Sequence, residues 1–409
     1  MQDFASIIII TLAIAIGFYL GRLSMKKNQS TEFIPYASKS YFQGLNYLLN
    51  EQPDKAVDAF VDSLDVNKNT LETHLALGKL MRKQGQVDRA IRIHQNLLAR
   101  PLLDNTQQHQ IHLELGRDFM AAGLLDRAEI LLKEVIAESA ELGNTAQRFL
   151  LDIYQDEREW EQAIRLGEAL LGSRFFKSTN NKRLPMMKMI AHFHCELAEE
   201  DRQKGNEAGC KRNLQQALIV DKSSLRASLL LGRFHNQTGQ YKPALKVLNK
   251  AISENSDFIA DLLPDLLNAY EGAYGDNGFE RFIYDINHKL VNQMPVQGLL
   301  FAVDQQLARA DCNSQSSALA FDMLVKYLHD NPSLVGLNKL IALRLPSLTG
   351  EVANEVRNLH DLLQKLLEKR FNYRCINCGF SGRQLHWRCP SCKKWDQMSS
   401  LRNSELNNW

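Results

Sequence analysis

Four cysteines near the end of the chain, Cys375, Cys378, Cys389 and Cys392, stand in two C-x-x-C pairs with ten residues between them. Each pair, in a tight turn, presents two sulfurs to one ion, and two such turns make a tetrahedral S4 site. The thiolates repel one another and need a cation, so metal binding supplies folding energy to a segment too small to fold alone. The expectation is one zinc or iron ion held by these four residues. Zinc is favoured, as the usual structural ion of a closed S4 site in a reducing compartment.

The surrounding stretch reads YRCINCGFSGRQLHWRCPSCKKW, residues 373–395. Gly379 after the first pair permits the positive φ that turns backbone N–H groups toward sulfur. With Pro390 inside the second pair, this is the knuckle signature of rubredoxin-like and zinc-ribbon modules. Lys393 stands where a second Gly is usual, which weakens the likeness to electron-transfer rubredoxins. His386 reads as a packing residue, since four cysteines already fill a tetrahedron. Arg374, Arg383, Arg388, Lys393 and Lys394 make the segment basic, with Tyr373, Phe380, Trp387 and Trp395 interleaved. That composition suits either a nucleic-acid surface or a mini-core that docks on neighbouring helices. HDLLQKLLEKRF runs into YRC with almost no linker, which favours docking. An iron S4 redox protein and a nucleic-acid-binding ribbon stay open as alternatives.

The elements that must carry this knuckle are helical repeats. GLNYLLNEQPDKAVDAF, GKLMRKQGQVDRAIRIH and GRDFMAAGLLDRAEILL start at Gly44, Gly78 and Gly116. Each has a large residue three on (Tyr47, Met81, Phe119) and an alanine twelve on (Ala56, Ala90, Ala128). Small residues let two antiparallel helices approach and large ones fill the groove, which is the tetratricopeptide pattern. Tyr154 and Ala163, then Ala198 and Cys210, then Gly232 and Ala244 continue it. Beyond about Asp261 the repeats decay, with a break at Asn331–Pro332. The fold class expected is all-α: a tetratricopeptide-repeat superhelix with an N-terminal transmembrane helix and a small C-terminal rubredoxin-like knuckle. The boundaries expected are 1–23 anchor, 24–38 linker, 39–255 repeats, 256–370 degenerate helical repeats and 371–409 metal-binding domain.

Phe4 to Gly21 carries no charge and, as a helix, is ~27 Å long, enough for a bilayer core. Arg22, Lys26 and Lys27 follow it, so the positive-inside rule puts the bulk of the chain on the cytoplasmic side of a single span. The lone cysteines Cys195, Cys210 and Cys312 agree with a reducing compartment. With 49 basic and 47 acidic residues the net charge is +2, without the overall basic excess of most nucleic-acid binders. No phosphate-loop, nucleophile-elbow or zinc-protease motif occurs, so no enzyme and no catalytic residue is expected. His192 and His194 read as ordinary helix residues, and GRDFM with the Glu-rich stretches as solvated faces.

Anchor, repeats and terminal cysteine pairs together resemble the lipopolysaccharide assembly protein B family, most specifically in VDRAIRIHQ (87–95), LGRDFMAAGLLDRAE (115–129), AHFHCELA (191–198) and the knuckle. The resemblance implies a single-pass inner-membrane protein with a cytoplasmic array and a metal domain packed on it. It implies an adaptor that promotes degradation of the LpxC-type lipid A deacetylase by an FtsH-type membrane protease, opposed by a PbgA/YejM-type membrane sensor. Cys375, Cys378, Cys389 and Cys392 become the ligands by motif match. No nucleic acid is expected as partner, and a homo-oligomer is allowed.

Overall fold

The computed structural model describes residues 46–47, 55, 71–99, 103–172, 180–290, 294–309 and 314–401. The expected anchor, the linker, Cys312 and most of the repeat at Gly44 lie outside these residues. Among the described residues no helix is long and apolar enough to cross a membrane. The chain forms two compact units, Met1–Leu150 and Leu151–Trp409.

The first unit contains α1 (Leu71–Lys83), α2 (Val87–Leu98), α3 (Asn105–Ala121) and α4 (Leu125–Glu138). The small residues read from the sequence mark close helix crossings. A Cβ on Gly78 would stand 2.4 Å from His94 Nε2, and one on Gly116 3.3 Å from Leu132. Asp104 starts α3 with a capping box, accepting from Gln107 N at 2.8 Å while Gln107 Oε1 accepts from Asp104 N at 3.2 Å, satisfying two backbone donors. One reading needs correction here. Asp118 of GRDFM is fully buried, and Glu114 nearly so. Arg82 donates to Asp118 Oδ1 at 2.6 Å and to Glu114 Oε2 at 2.7 Å, and His94 Nδ1 meets the other Asp118 oxygen. Burial raises the Glu114 pKa, but the Arg82 hydrogen bond and the charges of Arg117 and Lys79 outweigh it and hold the carboxyl below its ordinary range. Helix periodicity hid these acids, because only a partner from another helix tells a buried carboxylate from a solvated one.

α5 (Gly143–Asp156) is followed by α6 (Trp160–Gly172), α7 (Asn180–Gln203), α8 (Glu207–Val220), α9 (Leu225–Gln237) and α10 (Tyr241–Glu254). The turn within a repeat needs a left-handed residue five before the small one. Gly239 fills it before Ala244 with φ 71°, and Arg158 fills it before Ala163 with φ 61°, a costlier choice for a side chain bearing a Cβ. Ala198 and Cys210, in the Gly and Ala positions, share one buried cluster.

The later helices are α11 (Ile259–Tyr274), α12 (Gly278–Asp285), α13 (Val296–Arg309), α14 (Ser314–Asp330), α15 (Leu334–Arg344) and α16 (Glu351–Leu367). A single apolar cluster runs from Leu229 through Leu263, Phe282 and Leu299 to Leu324. Burying each such side chain stabilises by roughly 1.5–3 kcal/mol, so these helices hold together although the repeat signature has faded. The break at Asn331–Pro332 separates α14 from α15, whose first turn Ser333 caps by accepting from Gly336 N at 3.2 Å.

Candidate metal centre and its seat on the helices

Three short antiparallel strands, β1 (Tyr373–Cys375), β2 (Ser381–Gly382) and β3 (Met398–Ser400), lie in the order β2-β1-β3. They bring the two cysteine turns together, with Cys375 opposite Met398. The turns share one backbone pattern. Gly379 N donates to Cys375 O at 2.9 Å, and Lys393 N to Cys389 O at 2.9 Å. Cys375 N donates to Phe380 O at 2.7 Å, and Cys389 N to Lys394 O at 2.9 Å. Gly379 has φ 79° and Lys393 φ 57°. Lys393 therefore takes the conformation that a second glycine would supply, and its presence does not alter the turn.

The four sulfurs lie within 4.8 Å of one another. Cys375 and Cys392 Sγ are 3.7 Å apart, and Cys378 and Cys389 Sγ 3.6 Å. A tetrahedron with metal–sulfur bonds of ~2.3 Å has edges of ~3.8 Å, so the residues fit a single ion. The Phe380 amide, donating toward sulfur, pulls the Cys378 thiol down to about 6, and the Lys394 amide lowers Cys392 in the same way. Both favour thiolate, the form that binds metal. His386 lies edge-on to Phe380 at 6.1 Å and is not part of the cluster.

The knuckle is seated on the helices by its second turn and its first strand. Trp395, 9% exposed, stacks on His192 of α7 at 4.7 Å and 18°. It meets Trp160 and Phe193 edge-on at 6.5 and 6.2 Å. Its Nε1 donates to Gln155 Oε1 at 2.8 Å, and Arg226 and Arg388 each lie 5.9 Å from its ring. His192 Nε2 pairs with Asp396 Oδ1 at 2.7 Å. Burial raises the Asp396 pKa, but the hydrogen bond and charge of His192 outweigh it and hold the group low. Asp156, at the end of α5, accepts from Arg388 and from Lys393, both at 2.8 Å. Tyr373, 1% exposed, donates to Asp261 Oδ1 of α11 at 2.6 Å. Phe258 packs on the knuckle's own core of Tyr373, Cys375, Cys389 and Met398, and Trp387 on the main helical core.

Residues 373–400 match the family model described as a rubredoxin metal binding domain, and residues 73–106 a tetratricopeptide repeat model. Lipopolysaccharide assembly protein B of Escherichia coli (strain K12) is 33% identical over 398 residues, 97% of each chain. The Haemophilus influenzae protein of that name is 32% identical over 410 residues, 98% of each chain. The chain belongs to the lipopolysaccharide assembly protein B family. Among solved structures, a tetratricopeptide repeat protein from Parabacteroides merdae matches with TM-score 0.33 at 15% identity, over 72% of this chain and 99% of that one.

For this family member, sequence reasoning found the four cysteines and missed their seat. His192, read as an ordinary helix residue, is 2% exposed and meets Asp396, Trp395 and Trp387 of the knuckle. Gln155, Asp156, Arg226 and Asp261 carried no local signal for this role, because their partners in the knuckle lie 112 to 240 residues further along the chain. The basic residues are partly spent inside the chain. Arg388 and Lys393 face Asp156, Lys394 donates to Asn377 at 2.7 Å, and Arg383 donates to the Glu368 carbonyl.

Proposed function

We propose that this family member is a membrane-tethered, non-enzymatic adaptor of lipopolysaccharide biosynthesis, presenting the LpxC-type lipid A deacetylase to an FtsH-type membrane protease. Phe4 to Gly21 anchors it in the inner membrane with the bulk on the cytoplasmic side, and a PbgA/YejM-type sensor opposes it through that membrane segment. Confinement to two dimensions raises the effective concentration of adaptor near protease. Cys375, Cys378, Cys389 and Cys392 hold one zinc ion. A bound ion neutralises the thiolates and ties the two turns together. The helices offer their surface to client or protease, and the knuckle holds α5, α7 and α11 in fixed relation through Asp156, His192 and Asp261.

The observation that carries this reading is the match along nearly the whole chain, 97% both ways, to a protein named for lipopolysaccharide assembly. The fit of the four sulfurs to one ion supports the metal assignment. The test is crosslinked capture from native membranes combined with a pulse-chase of the deacetylase. The expected result is recovery of protease and deacetylase, with a deacetylase half-life several times longer when the adaptor is removed. An unchanged half-life, with neither protein captured, sinks the proposal. Metal analysis of protein purified at native expression levels decides between zinc and iron.

A further inference from the structure

α16, the last helix before the knuckle, has an apolar arc wider than its packing covers. Its inner face, with Ala353 buried and Val356, Leu363 and Leu367 half-buried, goes with its packing on α15. Its outer face carries Val352, Leu359, Leu362 and Leu366, each between 51% and 61% exposed. The last unit of a repeat stack ordinarily presents a polar outer surface, because nothing stacks on it. The knuckle that follows α16 is seated on α5, α7 and α11, and the outer leucines stay exposed with it in place.

We infer that the outer face of α16 pairs with the same face of a second copy of this chain, the two helices antiparallel across a two-fold axis near Leu359. Two features select that occupant. First, three of the stripe's four residues are symmetric about Leu359. Val352 and Leu366 are each seven residues, two helical turns, from Leu359, so an antiparallel copy sets Val352 against Leu366 and Leu359 against itself. Second, the exposed charges flanking the stripe are sorted along the axis, while Arg357, Asp361 and Glu368 lie on the opposite side of the helix. Glu351 and Glu355 lie at the start, and Lys365 and Lys369 at the end. Antiparallel pairing puts acids alongside the second copy's bases, whereas parallel pairing sets like against like. A lipid surface would be met by bases at both ends, and the acidic start of α16 opposes that. The helix is ~25 Å long, a short interface that suits copies already held together by a shared membrane.

The test uses the full-length chain in native membranes, with the photocrosslinking residue p-benzoylphenylalanine at position 359, then at 352 and 366. These positions are exposed, and helix content by circular dichroism checks that each variant folds. The expected result is an adduct of twice the chain's mass, strongest at 359, in which the 352 probe attaches within α16's C-terminal half. Glu351→Lys with Glu355→Lys should cut the adduct at least fivefold, and adding Lys365→Glu with Lys369→Glu should restore it. Adducts only to other proteins, no adduct at 359, attachment of the 352 probe near 352, or failure of the reversed charges to rescue would each overturn the pairing.

Discussion

The two cysteine turns of the knuckle have the same backbone and opposite surroundings. The turn from Cys375 to Phe380 faces outward: Ile376 is 72% exposed, and Cys378 is exposed too. The turn from Cys389 to Lys394 is pressed on the helices, with Asp156 bridging Arg388 and Lys393 and Trp395 inserted just beyond. Glycine serves the outer turn, where only the left-handed backbone matters. The seated turn uses a lysine at the same φ, at a strain of order 1 kcal/mol, and gains a cation that reaches Asp156. The departure from the glycine pattern is thus a docking device on an intact metal turn.

The largest expected effect removes what the two turns share. Cys375→Ser with Cys378→Ser, or removal of the ion by chelation, should unfold the knuckle, since structural-zinc binding is worth on the order of 10 kcal/mol. Hydrogen exchange should then show residues 373–400 unprotected while α11 to α14 keep their protection. Equal loss in both regions would mean that the knuckle and the main core form one cooperative unit. Next, Trp395→Ala should cost about 3–5 kcal/mol of seating and leave metal content unchanged, whereas Ile376→Ala on the outer turn should stay within about 0.5 kcal/mol. Metal loss in the Trp395 variant would mean that seat and site are inseparable.

Smaller effects separate the turns further. Gly379→Ala should cost about 1–2 kcal/mol, because φ 79° disfavours any Cβ, read as faster metal release to a competing chelator. Asp156→Asn should weaken seating by about 1 kcal/mol at most, as a partly exposed charge pair. Burial raises the Asp156 pKa, but Lys393 and Arg388 outweigh it and hold the group low. Its contribution is therefore present above the ordinary carboxylate pKa and lost as pH falls through the lowered one. Wild type and variant, followed by Trp395 fluorescence against pH, should differ above that range and converge at the acid end. Smallest of all, Lys393→Gly relieves the strained φ and loses the Asp156 contact, so chelator resistance should hold while the seating constant changes less than about threefold.

How much of this was readable without coordinates follows from chain separation. The S4 spacing and the left-handed Gly379 were legible because each cysteine turn is decided within six residues and the two cysteine pairs have ten residues between them. The small-residue positions Gly78, Gly116, Gly232 and Ala244 were legible because a repeat restates its contact every thirty-odd residues. The Trp395 seat was illegible: its walls come from α5, α6, α7 and α9, and nothing in AHFHCELA distinguishes His192 from His194, which is also buried. Asp118 was misread for the same reason, its neutralising Arg82 lying 36 residues earlier.

The Tyr373–Asp261 and Lys393–Asp156 bonds have a mechanical consequence. A linear stack of helices frays from its free end. Here the end of the chain returns to helices laid down more than 200 residues earlier, so the span between is a closed loop whose fastening is the knuckle. Among the described residues, a pull from the C-terminal side meets that fastening before it reaches any helix. By this latch the helices are hard to unravel from that side.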